Sequence, residues 1–265
     1  MNVLRKIYPL WLREKIYFQL IARANLPPKC TSGFDLEFAP FKMRSLLPTD
    51  YGHRQIAWLG YYESDLSRRI SSLAKTGGML LDVGANAGYF SCIWAALNPD
   101  NKAYSFEPSP RNLAMLRQNI AGLDNPQRVQ IFDHAVGKEA GTLHFDIGPE
   151  DESGWGGLAN SAGARTIQVK VRRLDELVPT GQDISVLKID TEGADTWVLM
   201  GAEQLLRQKR IKRIFFESNP PRMQQLGIKP DEAEKFLTEV GYKVQQMDDQ
   251  EFTAEPKQAG QMVDP

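Results

Sequence analysis

From Val3 to Leu26, apolar and aromatic side chains (Leu4, Ile7, Tyr8, Trp11, Leu12, Ile16, Phe18, Leu20) mix with cations in a loosely helical pattern. Pro9 breaks this pattern and Pro27-Pro28 end it, which predicts a short amphipathic segment. Cys30 to Pro48 is rich in Pro, Gly and Phe and reads as irregular or short-stranded, whereas Ile56 to Leu73 has helical spacing. After Gly77-Gly78 the texture changes to short apolar runs separated by helical stretches, the pattern of a parallel sheet with crossover helices. The runs predict strands at Met79–Val83, Lys102–Phe106, Val129–Phe132, Ile184–Ile189 and Ile211–Phe216. Ser109-Pro110 supplies an N-cap and a first-turn proline for a helix over Arg111–Ala121. Thr142–Ile147 and Arg165–Arg172 alternate like an antiparallel excursion, joined by a glycine-rich stretch from Gly148 to Gly163 in which no helix is expected. With Trp155 inside it, that stretch is a candidate lid over an acceptor, or else a plain loop.

The expected fold class is α/β, Rossmann-like, with a mostly parallel sheet and helices on both faces. The expected organisation is an N-terminal extension over 1–75, one nucleotide-binding domain over 76–247 and a polar tail over 248–265 with little apolar content. A chain of 265 residues is long enough for one large domain of this kind.

Composition narrows the function classes. Thirty-two basic and thirty-three acidic residues leave no global field to collect a polyanion, so nucleic acid is not an expected partner. Cys30 and Cys92 form no CxxC pair, which fits a reducing cytoplasm. Three histidines, His53, His134 and His144, form no HExxH or tight pair for zinc, and neither a GxSxG elbow nor a Walker loop occurs. No apolar run reaches the roughly 18 residues of a membrane span. Arg5, Lys6, Arg13, Glu14 and Lys15 interrupt the N-terminal stretch too often for a signal peptide. That stretch carries six basic residues against one acidic through Lys29, so it could rest on an anionic membrane surface, join a second copy of the chain, or pack on the domain.

The chemistry concentrates at the ends of the predicted strands. Leu80-Leu81-Asp82-Val83-Gly84-Ala85-Asn86-Ala87-Gly88-Tyr89-Phe90 reads as a strand, a small-residue turn and a helix start, the form of a nucleotide loop. Gly84 opens backbone angles closed to other residues, Asn86 tolerates a left-handed conformation, and small Ala85, Ala87 and Gly88 allow close approach of a ligand. The dinucleotide fingerprint GxGxxG fails at Asn86 and Tyr89. Glu107 closes the second strand where such folds place an acid on a ribose diol. Asp133, or the backbone beside it and His134, could pair with an adenine amino group. Ligands of open α/β sheets bind outside the carboxyl ends of the strands, so Asp82, Glu107, Asp133, Asp190 and Glu217 are expected to rim one crevice.

The ordered set LLDVGANAGYFS, FEPSP, HAVG, LKIDTEGAD followed by VLMGA, and FFES resembles the FkbM family of S-adenosylmethionine-dependent methyltransferases over roughly Met79 to Val244. The resemblance implies a class I methyltransferase fold with Asp82, Gly84, Asn86 and Gly88 around the donor's amino acid part and Glu107 on its ribose. It also implies methylation of a hydroxyl on a small-molecule or glycan acceptor, a sugar first. It leads one to expect strands after Met247, yet the sequence shows no clear final hairpin there.

Removing the proton of an alcohol calls for a carboxylate or a metal near the methyl group. Asp190, Glu192 and Glu217 are the acids best placed, and two arrangements fit them. In one, a carboxylate raised in pKa by its neighbours is the base, oriented by Lys188 or His134. In the other, Asp190 and Glu217, with Asn219, hold Mg²⁺ through oxygen ligands. Asp190 and Glu192 could instead cap the next helix and anchor the donor. Readings from other classes are a non-catalytic donor-binding scaffold and a nicotinamide oxidoreductase.

Overall fold

The computed structural model describes residues 3–24 and 33–257. Pro27-Pro28, Cys30 and the tail from 258 lie outside the described residues.

A 3-10 turn (Val3–Lys6), helix α1 (Leu10–Ile16) and a π-helical turn (Tyr17–Ala22) form the amphipathic segment, broken at Pro9 as its sequence predicts. Leu4 and Tyr17 enter the main core, and Arg13 is fully buried, donating to Glu37 Oε2 at 2.8 Å and to the Leu59 carbonyl at 2.9 Å. Strand β1 (Phe34–Asp35) pairs antiparallel with β2 (Lys42–Met43). The helix expected over Ile56–Leu73 is instead two, α2 (Tyr51–Leu59) and α3 (Ser64–Ala74). Gly60 at φ 90° stops the first, and Glu63 at φ 45° turns the chain into the second. This kink carries Tyr62 and Glu63 toward the crevice described below.

The sheet domain follows with β3 (Met79–Val83), α4 (Tyr89–Leu97), β4 (Lys102–Phe106), α5 (Pro110–Ile120) and β5 (Val129–Phe132). An excursion then builds a second sheet from β6 (Ala135–Val136), β7 (Gly141–Asp146), β8 (Gly157–Ala159) and β9 (Thr166–Arg172), in the order β6-β9-β7-β8. Its β7/β9 pairing is the predicted antiparallel one. The loop between them is more ordered than its glycines suggest, with a 3-10 turn at Ser153–Trp155 and the added strand β8. The chain returns through α6 (Leu174–Leu177), β10 (Val186–Ile189), α7 (Asp195–Gly201), α8 (Glu203–Arg207), β11 (Ile214–Glu217), α9 (Pro220–Leu226) and α10 (Glu232–Glu239).

A hairpin of β12 (Tyr242–Gln246) and β13 (Glu251–Pro256) completes a seven-stranded sheet in the order β12-β13-β11-β10-β3-β4-β5. The five strands from β11 to β5 are parallel, and β13 inserts antiparallel between β11 and β12. The polar tail expected from Asp248 is therefore corrected: the sheet continues through Pro256, beyond the boundary drawn at Met247. Only Phe252 and Ala254 bury there as apolar residues, too few to read as a strand. The segment is held by ladder bonds on both edges, which sequence patterning does not display.

Strand side chains alternate between two helical layers. Leu80, Ala103, Val129, Val186 and Phe215 pack with α2, α3, α4 and α5, while Leu81, Phe106, Leu187, Ile189 and Phe216 pack with α6, α7, α8 and α10. The N-terminal extension is thus part of the first layer. The parallel strands end on one side, and the chemistry lies there.

Candidate active site

At the end of β3 the chain turns through Gly84 (φ 76°) and Asn86 (φ 49°) into α4. The N–H groups of Gly84 and Ala85 both donate to the Phe106 carbonyl at 3.0 Å, tying the loop to the end of β4. Glu107, 3% exposed, sits one residue beyond β4, with Oε2 accepting from the Asn86 N–H (2.8 Å) and Oε1 from the Ser109 N–H (2.9 Å). Burial pushes its carboxyl up to about 7 against those two backbone bonds. A lobe of about 540 Å³, counting its open mouth, is lined by Gly84, Asn86, Glu107, Asn112, His134 and Asp190 among others. His134 Nε2 and Asn112 Oδ1 are buried there without a partner among the described residues, one edge able to donate or accept and one acceptor. Burial holds the His134 ring below its usual range despite nearby Asp133.

A second lobe of about 770 Å³ shares Gly84, Asn86, Gly154 and Asp190 with the first and adds His53, Tyr62, Lys188, Glu192 and Glu217. Asp190 stands where the lobes meet. Lys188, almost wholly buried, donates to Asp190 Oδ2 (3.1 Å) and to the Gly84 carbonyl (3.2 Å) and lies 3.8 Å from Asp82 Oδ1. Burial alone would pull its pKa down, but Asp190, Asp82 and Glu63 outweigh burial and hold it above the usual lysine range. Asp195 ties two strand ends together, accepting from the Thr191 N–H and the Glu217 N–H, both at 2.9 Å. Glu192, in the left-handed region at φ 53°, accepts from Asn219 Nδ2 at 3.0 Å.

The predicted residues divide accordingly. Gly84, Asn86, Glu107, His134, Asp190, Glu192 and Glu217 come together around the two lobes. Asp82 does not line either: it is fully buried beneath the loop, with Oδ2 accepting from Ser91 Oγ at 2.6 Å, and it supports Lys188. Gly88 starts α4 behind the loop, where a Cβ would meet Leu116 Cδ1 at 2.6 Å, so it serves packing. Asp133 is exposed and off the lobe, its neighbour His134 having turned inward. Asn219 Oδ1 caps α9 at the Arg222 N–H at 3.4 Å, and its Nδ2 faces Glu192. Neither Asp190 nor Glu192 caps α7, whose N-cap Ala194 carries no side-chain bond. The carboxylates that do gather are Glu63, Glu217 and Glu251, each offering an oxygen within 4.8 Å of the others.

Sequence reasoning missed Asp50, His53, Tyr62, Glu63, Asn112 and Glu251. Asp50 was legible as an N-cap three residues before His53, but nothing local in the chain places Glu63 or Glu251 beside Glu217.

These crowded acids have a measurable consequence. Burial, with the charge of Asp190 adding to it, raises Glu63 to about 8, Glu192 to about 7 and Glu217 to about 10, and burial raises Glu251 to about 7. Each lies above its unfolded value of 4.5, so the folded chain binds more protons than the unfolded one from about pH 5 upward. Their contribution to stability is complete below pH 4.5 and is lost as pH rises through 7 to 10. Thermal melts of the unliganded protein should therefore give a lower Tm at each step from about pH 6 to about pH 9, and a flat or rising Tm would mean these carboxyls ionise freely.

A mostly parallel sheet between two helical layers, with a glycine loop after its first strand and a buried acid closing the second, is the Rossmann-like fold of class I methyltransferases. The chain matches the Methyltransferase FkbM domain over residues 82–244, more than half of its length, and belongs to that family. It is 27% identical over 158 residues to the 2-O-methyltransferase NoeI of Sinorhizobium fredii, covering 53% of this chain and 64% of NoeI. To methyltransferase sdnD of Sordaria araneosa it is 26% identical over 196 residues, covering 62% and 73%. Among solved structures, methyltransferase FkbM from Methylobacillus flagellatus aligns with a TM-score of 0.47 at 14% identity, over 67% of this chain and 43% of that one. The chain thus spans less than two thirds of NoeI and less than half of the Methylobacillus chain.

Proposed function

We propose that the protein is an S-adenosylmethionine-dependent O-methyltransferase acting on a hydroxyl of a small polyhydroxylated molecule, a sugar or glycan residue. The observation that carries this reading is Glu107, a buried carboxylate bonded to the backbone of the Gly84–Asn86 loop at the wall of the first lobe. The lobe fits such a donor: Glu107 keeps lone pairs for two ribose hydroxyls, and His134 Nε2 and Asn112 Oδ1 have no partner among the described residues, where a base would need them. When bound, S-adenosylmethionine supplies a methyl group on a sulfonium, open to attack by an oxygen in line. Gly84, Asn86 and Asp190 border both lobes and would lie beside the reacting centre, with Lys188 fixing Asp190 from behind. The second lobe has the aromatic faces of Tyr62 and Trp155 together with carboxylates, which suit the C–H face and hydroxyls of a sugar. The name of NoeI, a 2-O-methyltransferase, supports oxygen as the accepting atom.

The proton of the acceptor goes to a carboxylate of the Asp190, Glu192 and Glu217 group. Glu192, pushed up to about 7, matches the requirement that a base titrate near working pH. Glu217, at about 10, carries its own proton at neutral pH until a cation in the site draws it down. A metal-free reaction is favoured over one through Mg²⁺ because the Lys188 ammonium already supplies a cation to Asp190 Oδ2 at 3.1 Å. Asp190→Asn and Glu217→Gln should each lower kcat by roughly 10² to 10⁴, with wild-type turnover unchanged by EDTA. Glu192→Gln should lower kcat at least as much, near-normal turnover in all three variants would defeat the assignment, and loss with EDTA would restore the metal.

Calorimetry with S-adenosylmethionine and NAD tests the donor, and methyl transfer from labelled donor to a panel of sugars tests the acceptor. Binding of NAD alone would point to an oxidoreductase, and donor binding without any turnover to a scaffold. We propose further a cytoplasmic enzyme that touches an anionic membrane surface through its N-terminal segment, where Trp11 (62% exposed) and Leu20 (64% exposed) face outward. No helix of the described residues is long and apolar enough to cross a membrane. Trp11→Ser with Leu20→Ser should reduce co-sedimentation with phosphatidylserine vesicles, and equal sedimentation of both proteins would remove the membrane role.

A further inference from the structure

The segment from Ile147 to Gly157 passes over the donor loop, and Gly154 borders both lobes. Asp50, His53 and Asn86 beneath it and Ser153 within it form a closed hydrogen-bonded ring, through their side chains and the backbone N–H groups of His53 and Ser153. His53 Nδ1 accepts from the Leu47 N–H at 3.2 Å, so the proton of this ring sits on Nε2 and is donated to Asn86 Oδ1 at 3.1 Å. Asn86 Nδ2 turns to Ser153 Oγ at 3.3 Å. The Ser153 N–H donates to Asp50 Oδ2 at 2.5 Å, and Asp50 Oδ1 accepts from the His53 N–H at 2.9 Å. Outside the ring, the Tyr51 N–H holds the Asp151 carbonyl at 2.9 Å and Asn112 Nδ2 holds that of Ser153 at 3.2 Å.

Three of the four members, Asp50, His53 and Ser153, are almost wholly buried. Buried polar groups are tolerated when every one is paired and are costly when one partner leaves. The ring is complete with the segment seated, and lifting it would open Asp50 and Ser153 together. Asn86 is the shared point, since its side chain joins the ring while its backbone N–H is held by Glu107.

We propose that Asp50 and His53, which precede the matched family domain, are positioning residues that latch segment 147–157 onto Asn86, so that the donor and the cover of the active site are held as one unit. The coupling to donor rests on the methyltransferase reading; the latch itself does not.

Hydrogen exchange followed by mass spectrometry on the full chain tests both. Without ligand, His53→Phe and Asp50→Ala should each speed exchange in segment 147–157 by about tenfold or more, while His53→Gln, whose amide can still donate to Asn86, keeps much of the protection. Asp50→Asn, which retains the shape, is the fallback where Asp50→Ala does not fold, as judged by circular dichroism. Saturating S-adenosylhomocysteine should further slow exchange in this segment of the wild type and do so less in His53→Phe. Unchanged exchange in folded His53→Phe and Asp50 variants overturns the latch. A wild type that binds no S-adenosylhomocysteine by calorimetry overturns the donor reading and the coupling, while faster exchange in the unliganded variants would still support the latch. Equal slowing by ligand in wild type and His53→Phe overturns the coupling alone.

Discussion

A Gly84→Val chain is expected to lose donor binding and to melt roughly 10 °C below the wild type. Gly84 lies at φ 76°, where a side chain is strained, and a Cβ built on it would stand 1.8 Å from the carbonyl oxygen of Asp190 and 2.9 Å from its carbon. The obstacle is backbone, one residue past the end of β10 beside β3, and it cannot swing aside. The Asp190 N–H is bonded to the Val83 carbonyl at 3.1 Å, and Lys188 Nζ to the Gly84 carbonyl at 3.2 Å, so relieving the clash parts the ends of β3 and β10. Left-handed strain costs about 1–3 kcal/mol and overpacking about as much again, and at roughly 2–4 °C per kcal/mol for a chain of this size the melting shift follows. Thermal melts and calorimetry check both effects. From sequence, the harm of a side chain here would be attributed to the ligand's space; in the folded protein it begins with the neighbouring strand. Gly84→Ala separates the two accounts. Its single methyl group meets the same oxygen, so it too should lose stability without any ligand present, and a native Tm for Gly84→Ala would return the argument to the ligand.

The parallel sheet was legible because Leu80-Leu81, Val186-Leu187 and Phe215-Phe216 are buried on both faces and read as unbroken apolar runs. The loop and Glu107 were legible because small residues and an acid fall at strand ends, positions that chain spacing alone locates. What stayed hidden depends on contacts between distant segments. Strand β13 has little apolar content and is held by its two neighbours. Gly88 looks like a ligand glycine, yet its missing Cβ makes room for Leu116, on a helix not identifiable as its partner from the sequence. Asp133 and His134 are adjacent, and which of them turns inward depends on how β5 leads into β6. Glu63 and Glu251 reach Glu217 from opposite ends of the chain, one through the kink after Gly60 and the other through the inserted strand.

Replacing Glu107 should weaken the donor by about two to four orders of magnitude in Glu107→Ala and by less in Glu107→Gln. A carboxylate accepting two ribose hydroxyls makes charge-assisted bonds worth roughly 1.5–3 kcal/mol each, and about 1.4 kcal/mol is tenfold in affinity. The same carboxylate also receives the Asn86 and Ser109 N–H groups, so Glu107→Ala strands two buried donors at about 1–3 kcal/mol each and lowers the Tm besides. Glu107→Gln keeps one carbonyl oxygen and is the cleaner probe of binding. Because burial raises the Glu107 carboxyl to about 7, the unliganded wild type is part protonated at neutral pH, and a protonated oxygen cannot accept as a carboxylate does. Donor affinity that depends on the ionised form is lost as pH falls through about 7 and recovered above it. Calorimetric titration with S-adenosylhomocysteine at pH 6, 7 and 8 should show the wild type tightening by about tenfold over this range, and Glu107→Gln changing distinctly less. Equal affinity and equal pH dependence in the two proteins would take Glu107 off the ribose and leave it as a brace for the donor loop.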